Sequence, residues 1–256
     1  MKFWAVLKRE LREQVRNRKL FFVMLFILFG AFMALYTDVP LTEDSNNLLE
    51  AIFDSFHKFC ALMGVMVAMD AVVGEKERGT LELVLSKPLS RATLLLGKFV
   101  SYVMAVVPLL LIELILVYYW AKVVGVARWQ SPLPPMSQWL AMIAIVSLVC
   151  TFHIVFTIIV SLYARSTVSC ALISMISIMP GSPAGTGIIE WLGWTDFGKL
   201  VLPFRAMSLL TSDYQRYALL YSASDYWICV SLLLLLVVVL LLVAGWLFEK
   251  QDISFK

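Results

Sequence analysis

The run Tyr226–Phe248 contains no charged residue and consists mainly of Leu and Val. Coiled into a helix, a segment of that length matches the hydrocarbon thickness of a bilayer. Leu20–Tyr36 and Gln138–Tyr163 are also apolar runs without Asp, Glu, Lys or Arg, Phe99–Trp120 is one interrupted by Glu113, and Lys58–Val73 is a shorter one that contains Asp70. Such repetition leaves little choice of class. The chain is 61% hydrophobic and 15% charged, with mean hydropathy +0.86, whereas soluble domains carry about a quarter charged residues. Its 256 residues hold about six spans and short loops, with no room for a sizeable soluble domain. The expected fold is an all-α integral membrane protein with six transmembrane helices, an N-terminal interfacial helix and a re-entrant outer hairpin between spans five and six.

Residues 1–19 read as an amphipathic helix. Phe3, Leu7, Leu11 and Val15 recur every four residues with Trp4 beside them, while Lys8, Arg9, Arg12, Arg16 and Arg18 take the other sides. That is the pattern of a helix lying in the headgroup layer, and the basic stretch is too long for a cleaved leader. Residues 20–256 then form a single transmembrane domain. Thr37–His57 is acidic and suits the outer face, and Lys122–Ser137, rich in proline, is a second outer loop. The fifth apolar run, Val168–Met179, is short for a span and meets Pro180-Gly181. Glycine and proline at membrane depth survive where protein or water covers the backbone, so residues 180–225 are expected to form a broken hairpin and outer loop, anchored by Trp191, Trp194 and Phe204. Lys and Arg number fifteen on the inner side of this topology and six on the outer, which places both termini in the cytoplasm.

Residues 73–98 form the charge-dense segment between apolar runs. They hold Glu75, Lys76, Glu77, Arg78, Glu82, Lys87, Arg91 and Lys98, and the basic excess argues for the cytoplasmic face. Gly79-Thr80 is expected to open a short helix with Leu81, Val84 and Leu85 on one side. Thr80 would be its cap and Pro88 its end, and Ser90 would cap the next span. Taken alone, a charge run of this sort is most often a solvated loop.

E-K-E-R-G-T-L-E, followed by P-L-S-R and by G-K at the start of a span, resembles the first cytoplasmic loop of ABC-2 type exporter permeases. The run D-A-V-V-G-E is similar to permeases of the nitrous-oxide-reductase maturation type within that family. The resemblance implies that Glu75, Glu77, Arg78, Gly79, Thr80, Leu81, Glu82, Pro88 and Arg91 belong to a coupling helix that docks on a separate ABC ATPase subunit. It further implies a permease homodimer, export by alternating access, and a pathway lined by spans two and five.

The chain itself carries no nucleotide site. Gly97-Lys98 and Gly198-Lys199 lack the upstream glycine and the Ser/Thr of a phosphate-binding loop. No enzyme activity and no cofactor are therefore expected on this chain, with ATP and Mg on the partner ATPase. Nothing points to nucleic acid, and membrane lipid is the other expected partner. Cys60, Cys150, Cys170 and Cys229 lie in apolar runs without C-x-x-C spacing and read as packing residues. His57, Cys60, Met63, Met66 and Met69 form an i+3 stripe of soft ligands, and Cys150 with His153 forms a second pair. The stripe drifts around the helix and the two pairs lie at different depths, so no metal site is expected. Asp70, near the inner interface, is expected to pair within its loop. Glu113, with Met63 and Met66, is a candidate for the substrate pathway, since an ionisable group inside a span defaults to function.

The expected function is thus the transmembrane permease subunit of an ATP-driven exporter, multi-pass in the inner membrane of a prokaryote. The alternative is a non-transporting membrane component of an ATPase-linked signalling or immunity complex. A lone ion-coupled carrier ranks third, because internal repeats and multiple intramembrane charges are not visible. Apolar lining residues do not name a substrate.

Overall fold

The computed structural model describes residues 2–16, 59–81, 90–125, 136–181 and 223–251, together with positions 21, 24, 25, 28 and 29. Among these residues every regular element is helical. Helix α1 is Lys2–Arg16, α2 covers 59–68, α3 is Val73–Glu77, α4 is Arg91–Gly125 and α5 is Met136–Tyr163. Helix α6, Thr167–Met175, tightens into a 3-10 turn at Ile176–Gly181, and α7 is Ala223–Lys250. Stretches within α4, α5 and α7 (Arg91–Tyr119, Ile143–Tyr163 and Val230–Lys250) are long and apolar enough to cross a bilayer. Most of Leu20–Tyr36, the outer loops, Glu82, Pro88 and most of the 180–225 region lie outside the described residues, as do Trp191, Trp194 and Phe204.

Helix α5 is the centre of the packing. It touches α3, α4, α6 and α7. Its Val146, Cys150, Ile154, Ile158 and Leu162 join Cys60, Met63 and Val67 of α2 and Val106, Leu110 and Leu114 of α4 in the main core. Gly64 explains how closely α2 and α5 approach. A Cβ there would lie 2.9 Å from the Cys150 carbonyl oxygen and 3.1 Å from His153 Cβ. Small residues of this kind let helices meet in a membrane, where packing rather than water exclusion drives association. Helix α7 lies along α5 through Leu233 and Val237, and α4 runs through Pro108 without interruption.

Two expectations change. The run 58–73 is not one span, because helix α2 stops at residue 68 and the chain turns through 69–72 before α3 begins. The buried face of α1 holds Val6, Leu7, Glu10 and Gln14, while Trp4 and Val15 are exposed. The two i+4 steps from Leu7 to Val15 rotate the stripe by about 80°, so Val15 has left the face that Leu7 occupies.

Candidate functional site

The charged segment after α2 folds first through its own backbone. Helix α3 has little more than one turn, and Gly79 ends it at φ +64, a conformation that glycine adopts without a Cβ penalty. Gly79 N donates to Lys76 O (3.1 Å) and Thr80 N to Glu75 O (3.0 Å). These two bonds form the paired closure of a Schellman motif. Gly79 therefore closes α3, and Leu81 just beyond it is again helical, while the rest of the helix expected after Thr80 lies outside the described residues. Ser90 does cap α4, with Thr93 N donating to its Oγ at 3.2 Å.

The short helix divides its charges between inside and outside. Glu75 is 3% exposed. Its Oε1 accepts from Lys98 Nζ at 3.0 Å and from Arg9 Nη2 at 3.4 Å. Lys98 Nζ also donates to Glu10 Oε2 at 3.2 Å. One buried ammonium thus joins α1, α3 and α4. Two glycines make the approach possible. At Gly97 a Cβ would stand 2.6 Å from Val6 Cγ1, and at Gly74 it would stand 2.8 Å from Asp70 Cβ. Glu13, Gln14, Asp70, Arg78 and Tyr102 line a small polar cleft around the cluster. Burial pushes the Glu10 carboxyl above its ordinary value, with Lys98 opposing.

Among the described residues, Lys76, Glu77 and Arg91 of the segment hold helix ends. Lys76 Nζ donates to Leu162 O, the penultimate carbonyl position of α5, at 2.5 Å, and Gln251 Nε2 donates to the same oxygen at 2.6 Å. Burial lowers the Lys76 amine from its usual range. Glu77 accepts from Thr167 N (3.0 Å) and from Thr167 Oγ1 (2.5 Å) at the start of α6, and those bonds hold its carboxyl below the usual value. Negative charge at a helix start and positive charge at a helix end both oppose the macrodipole. Arg91 Nη1 donates to the carbonyls of Phe248, Glu249 and Gln251 at 3.1, 3.4 and 2.7 Å and closes the end of α7. Arg78 bonds back to Gly74 O (2.9 Å) and meets Glu13 at 3.6 Å on the rim. Exposed pairs of that kind contribute little.

Of the coupling residues expected from sequence, Glu75 and Leu81 are buried, and Arg91 is committed to α7. Glu77, Arg78 and Gly79 form the exposed end of the segment, and Thr80 is half-buried. Glu82 and Pro88 lie outside the described residues. Glu113 and Met63 are buried within the chain, and Met66 is half-buried. Neither Glu113 oxygen has a hydrogen-bond partner. The two soft-ligand groups do approach each other, contrary to expectation. Gly64 of α2 sits on Cys150 and His153, and Cys60 lies within electrostatic reach of Cys150 and Glu113. His57 is not among the described residues.

Sequence reasoning missed Glu10, Lys76, Lys98, Thr167 and Gln251 as members of the site. Glu10 left a signal. It is an acid on a basic helix, within one turn of Val6 and Leu7 and in line with Gln14, and so sits on the face that packs.

Among the described residues the arrangement holds no nucleophile-base pair, and what it offers is mechanical linkage. One short segment grips α1 and α4 by buried ion pairs and the ends of α5, α6 and α7 by caps. The model of the ABC-2 family transporter protein matches residues 4–253. The chain is similar to the probable ABC transporter permease protein NosY of Pseudomonas aeruginosa, with 38% identity over 110 residues, covering 39% of this chain and 38% of that protein. It is also 34% identical to the protein of the same name from Stutzerimonas stutzeri over 110 residues, with the same coverage. The similarity therefore spans well under half the length of either relative.

Proposed function

This chain belongs to the ABC-2 family of transporter proteins, and from that premise we propose that it is the permease of an ATP-driven exporter. Membership makes it a transmembrane ABC transporter subunit, not itself catalytic, and implies an ABC ATPase partner. In the proposed arrangement the ATPase is a separate chain that docks on the 73–98 loop. Two permease copies enclose the pathway, each with six spans, an interfacial α1, a re-entrant outer hairpin and both termini in the cytoplasm of a prokaryotic cell. Glu113, Met63 and Met66 face the pathway in the outward-open state.

One observation carries the proposal. The exposed end of the segment, Glu77-Arg78-Gly79, stands on a helix whose inner side is fixed by the Glu75–Lys98–Glu10 cluster. A push on that end cannot be absorbed locally. It passes to α1 and α4 through ion pairs and to α5 and α6 through Lys76 and Glu77. A rigid shift of several helix ends together is what alternating access requires.

Co-purification with the ATPase encoded beside this chain tests the docking surface. The charge swap Glu77→Arg with Arg78→Glu should abolish capture of the ATPase while the variant still elutes as a folded membrane protein. Equal capture by wild type and variant would place the docking surface elsewhere.

A further inference from the structure

Two carboxyls share one ammonium in the hub that joins α1, α3 and α4. Lys98 Nζ reaches Glu10 Oε2 at 3.2 Å and Glu75 Oε1 at 3.0 Å, so the two acids lie side by side around a single atom. Glu10, Glu75 and Lys98 are all buried, at 3%, 3% and 4% exposed. Arg9 also meets Glu75, but from a side chain that is 43% exposed, where water weakens the attraction. The other charges of the cleft do not add base. Arg78 of α3 pairs with Glu13 of α1 on the rim, Asp70 of the turn before α3 contributes a further acid, and Tyr102 of α4 is a phenol. With both carboxyls ionised, the buried part of the hub therefore carries one negative charge too many.

The same groups are short of hydrogen bonds. The far oxygens of the two acids, Glu10 Oε1 and Glu75 Oε2, have no partner, and neither has Gln14 Oε1. Gln14 is 6% exposed and stands one turn beyond Glu10 on the buried face of α1, within side-chain reach. All three residues line the one cleft. Carboxylate and amide oxygens only accept, so whatever completes the hub must bring a donor.

The three oxygens are closed to solvent, which leaves no space for a water against them. No three metal-ligating side chains converge among the described residues. A proton needs no space. On Glu10 it removes the surplus charge and turns one of three stranded acceptors into a donor. Burial pushes the Glu10 carboxyl up most strongly. Lys98 and Arg9 oppose that shift, Glu75 adds to it, and the net direction is upward. We propose that the hub is a proton-binding site, with one proton on Glu10 Oε1 while Glu10 Oε2 and the ionised Glu75 share Lys98. The proton then clasps α1 to α3 and α4, and its loss sets two buried carboxylates against each other. The proposal does not depend on the exporter reading.

The sign of the pH dependence follows. The folded chain holds a proton that the unfolded chain releases in the ordinary carboxylate range. The stability this contributes is complete below that range and is lost as pH rises through the raised value of the folded state. The test compares the wild type with Glu10→Gln, each as the full chain in lipid nanodiscs. The amide copies the shape and the donor of the protonated acid but does not titrate. Between about pH 5 and about pH 8 the wild type should lose about 3 °C more in Tm than the variant. Parallel Tm profiles would overturn the site. So would failure of Glu10→Gln to fold, because a mimic of the protonated acid has to be accepted there. An infrared titration of the same two proteins reads the proton directly. One carboxylic-acid band should persist above the ordinary carboxylate range in the wild type and be missing from the variant, and identical spectra would overturn the proposal.

Discussion

Helices α5 and α7 have the same length, 28 residues, and both read as membrane spans. In α5 the spanning window is 67% buried and in α7 it is 17% buried. Hydropathy points the other way, since α7 is the more apolar of the two. Between Val230 and Gly245 its one polar side chain is Ser231, whereas α5 buries Thr151, His153, Thr157 and Ser161. Lipid is as apolar as Leu, so burying Leu against protein gains little there. Polar groups are what must be hidden from lipid. The more polar helix therefore becomes the centre and the purest one the periphery, the reverse of a soluble core.

The sharpest way to break this comparison is through Gly64. Gly64 faces α5 against backbone, and backbone cannot move aside as a side-chain tip can. Gly64→Val should cost more than about 5 kcal/mol, comparable to the whole stability of a typical domain. The folded chain should vanish from membranes as judged by fluorescence-detected size exclusion. Normal accumulation would show that α2 does not pack on α5 as described.

Lys98→Met comes next. Glu10 and Glu75 would lose their shared cation while remaining buried, and stranding buried charge costs about 3–5 kcal/mol. Thermal unfolding in detergent should show the loss, and Lys98→Arg should recover only part of it, because a guanidinium is larger than the ammonium it replaces. A Tm unchanged by Lys98→Met would mean that water already reaches the cluster, and the hub joining α1, α3 and α4 would lose its mechanical meaning.

Three of the expected spans, Phe99–Trp120, Gln138–Tyr163 and Tyr226–Phe248, are legible because bilayer thickness and the cost of charge in lipid act on composition alone. Helix ends were less so. Residues 59–77 contain two helices separated by a turn, and apolar residues on both sides of Asp70 mask the break. The helix before Gly79 left no signal, since five residues have no periodicity to read. The site's pairings were not legible at all. Lys98 meets Glu10 across 88 positions and Arg91 meets Phe248 O across 157. A single sequence records which charges exist and not which ones tertiary packing brings together. Gly97-Lys98 shows the difference well. It was read as a signature of the loop, and the structure gives each residue a reason, close approach of α1 for the first and a shared cation for the second.

A matched pair of truncations sharpens the comparison at intermediate size. Ile154 of α5 is buried and Leu242 of α7 is exposed. In lipid the transfer term of Ile154→Ala nearly cancels, leaving the cavity, so the cost should be about 2 kcal/mol, the low end for such truncations. Leu242→Ala opens no cavity and should stay within about 0.5 kcal/mol. Equal losses in reversible unfolding would mean that α7 is covered, by a second copy of the chain or by residues outside those described here.

The smallest effect should have the opposite sign. A Cβ on Gly245 of α7 would meet nothing within 4 Å, and the residue sits inside a helix, where glycine gives up backbone entropy that alanine does not. Gly245→Ala should therefore stabilise the chain by about 0.5–1 kcal/mol, read as a small rise in Tm. The result separates two reasons for a glycine in a membrane helix. If Tm rises, Gly245 faces lipid, and α7 is peripheral at the level of single positions. If Tm falls, a neighbouring helix is packed against Gly245 as α5 is packed against Gly64. The bare face of α7 is then an interface, and the proposed pairing of two permeases would have a place to begin.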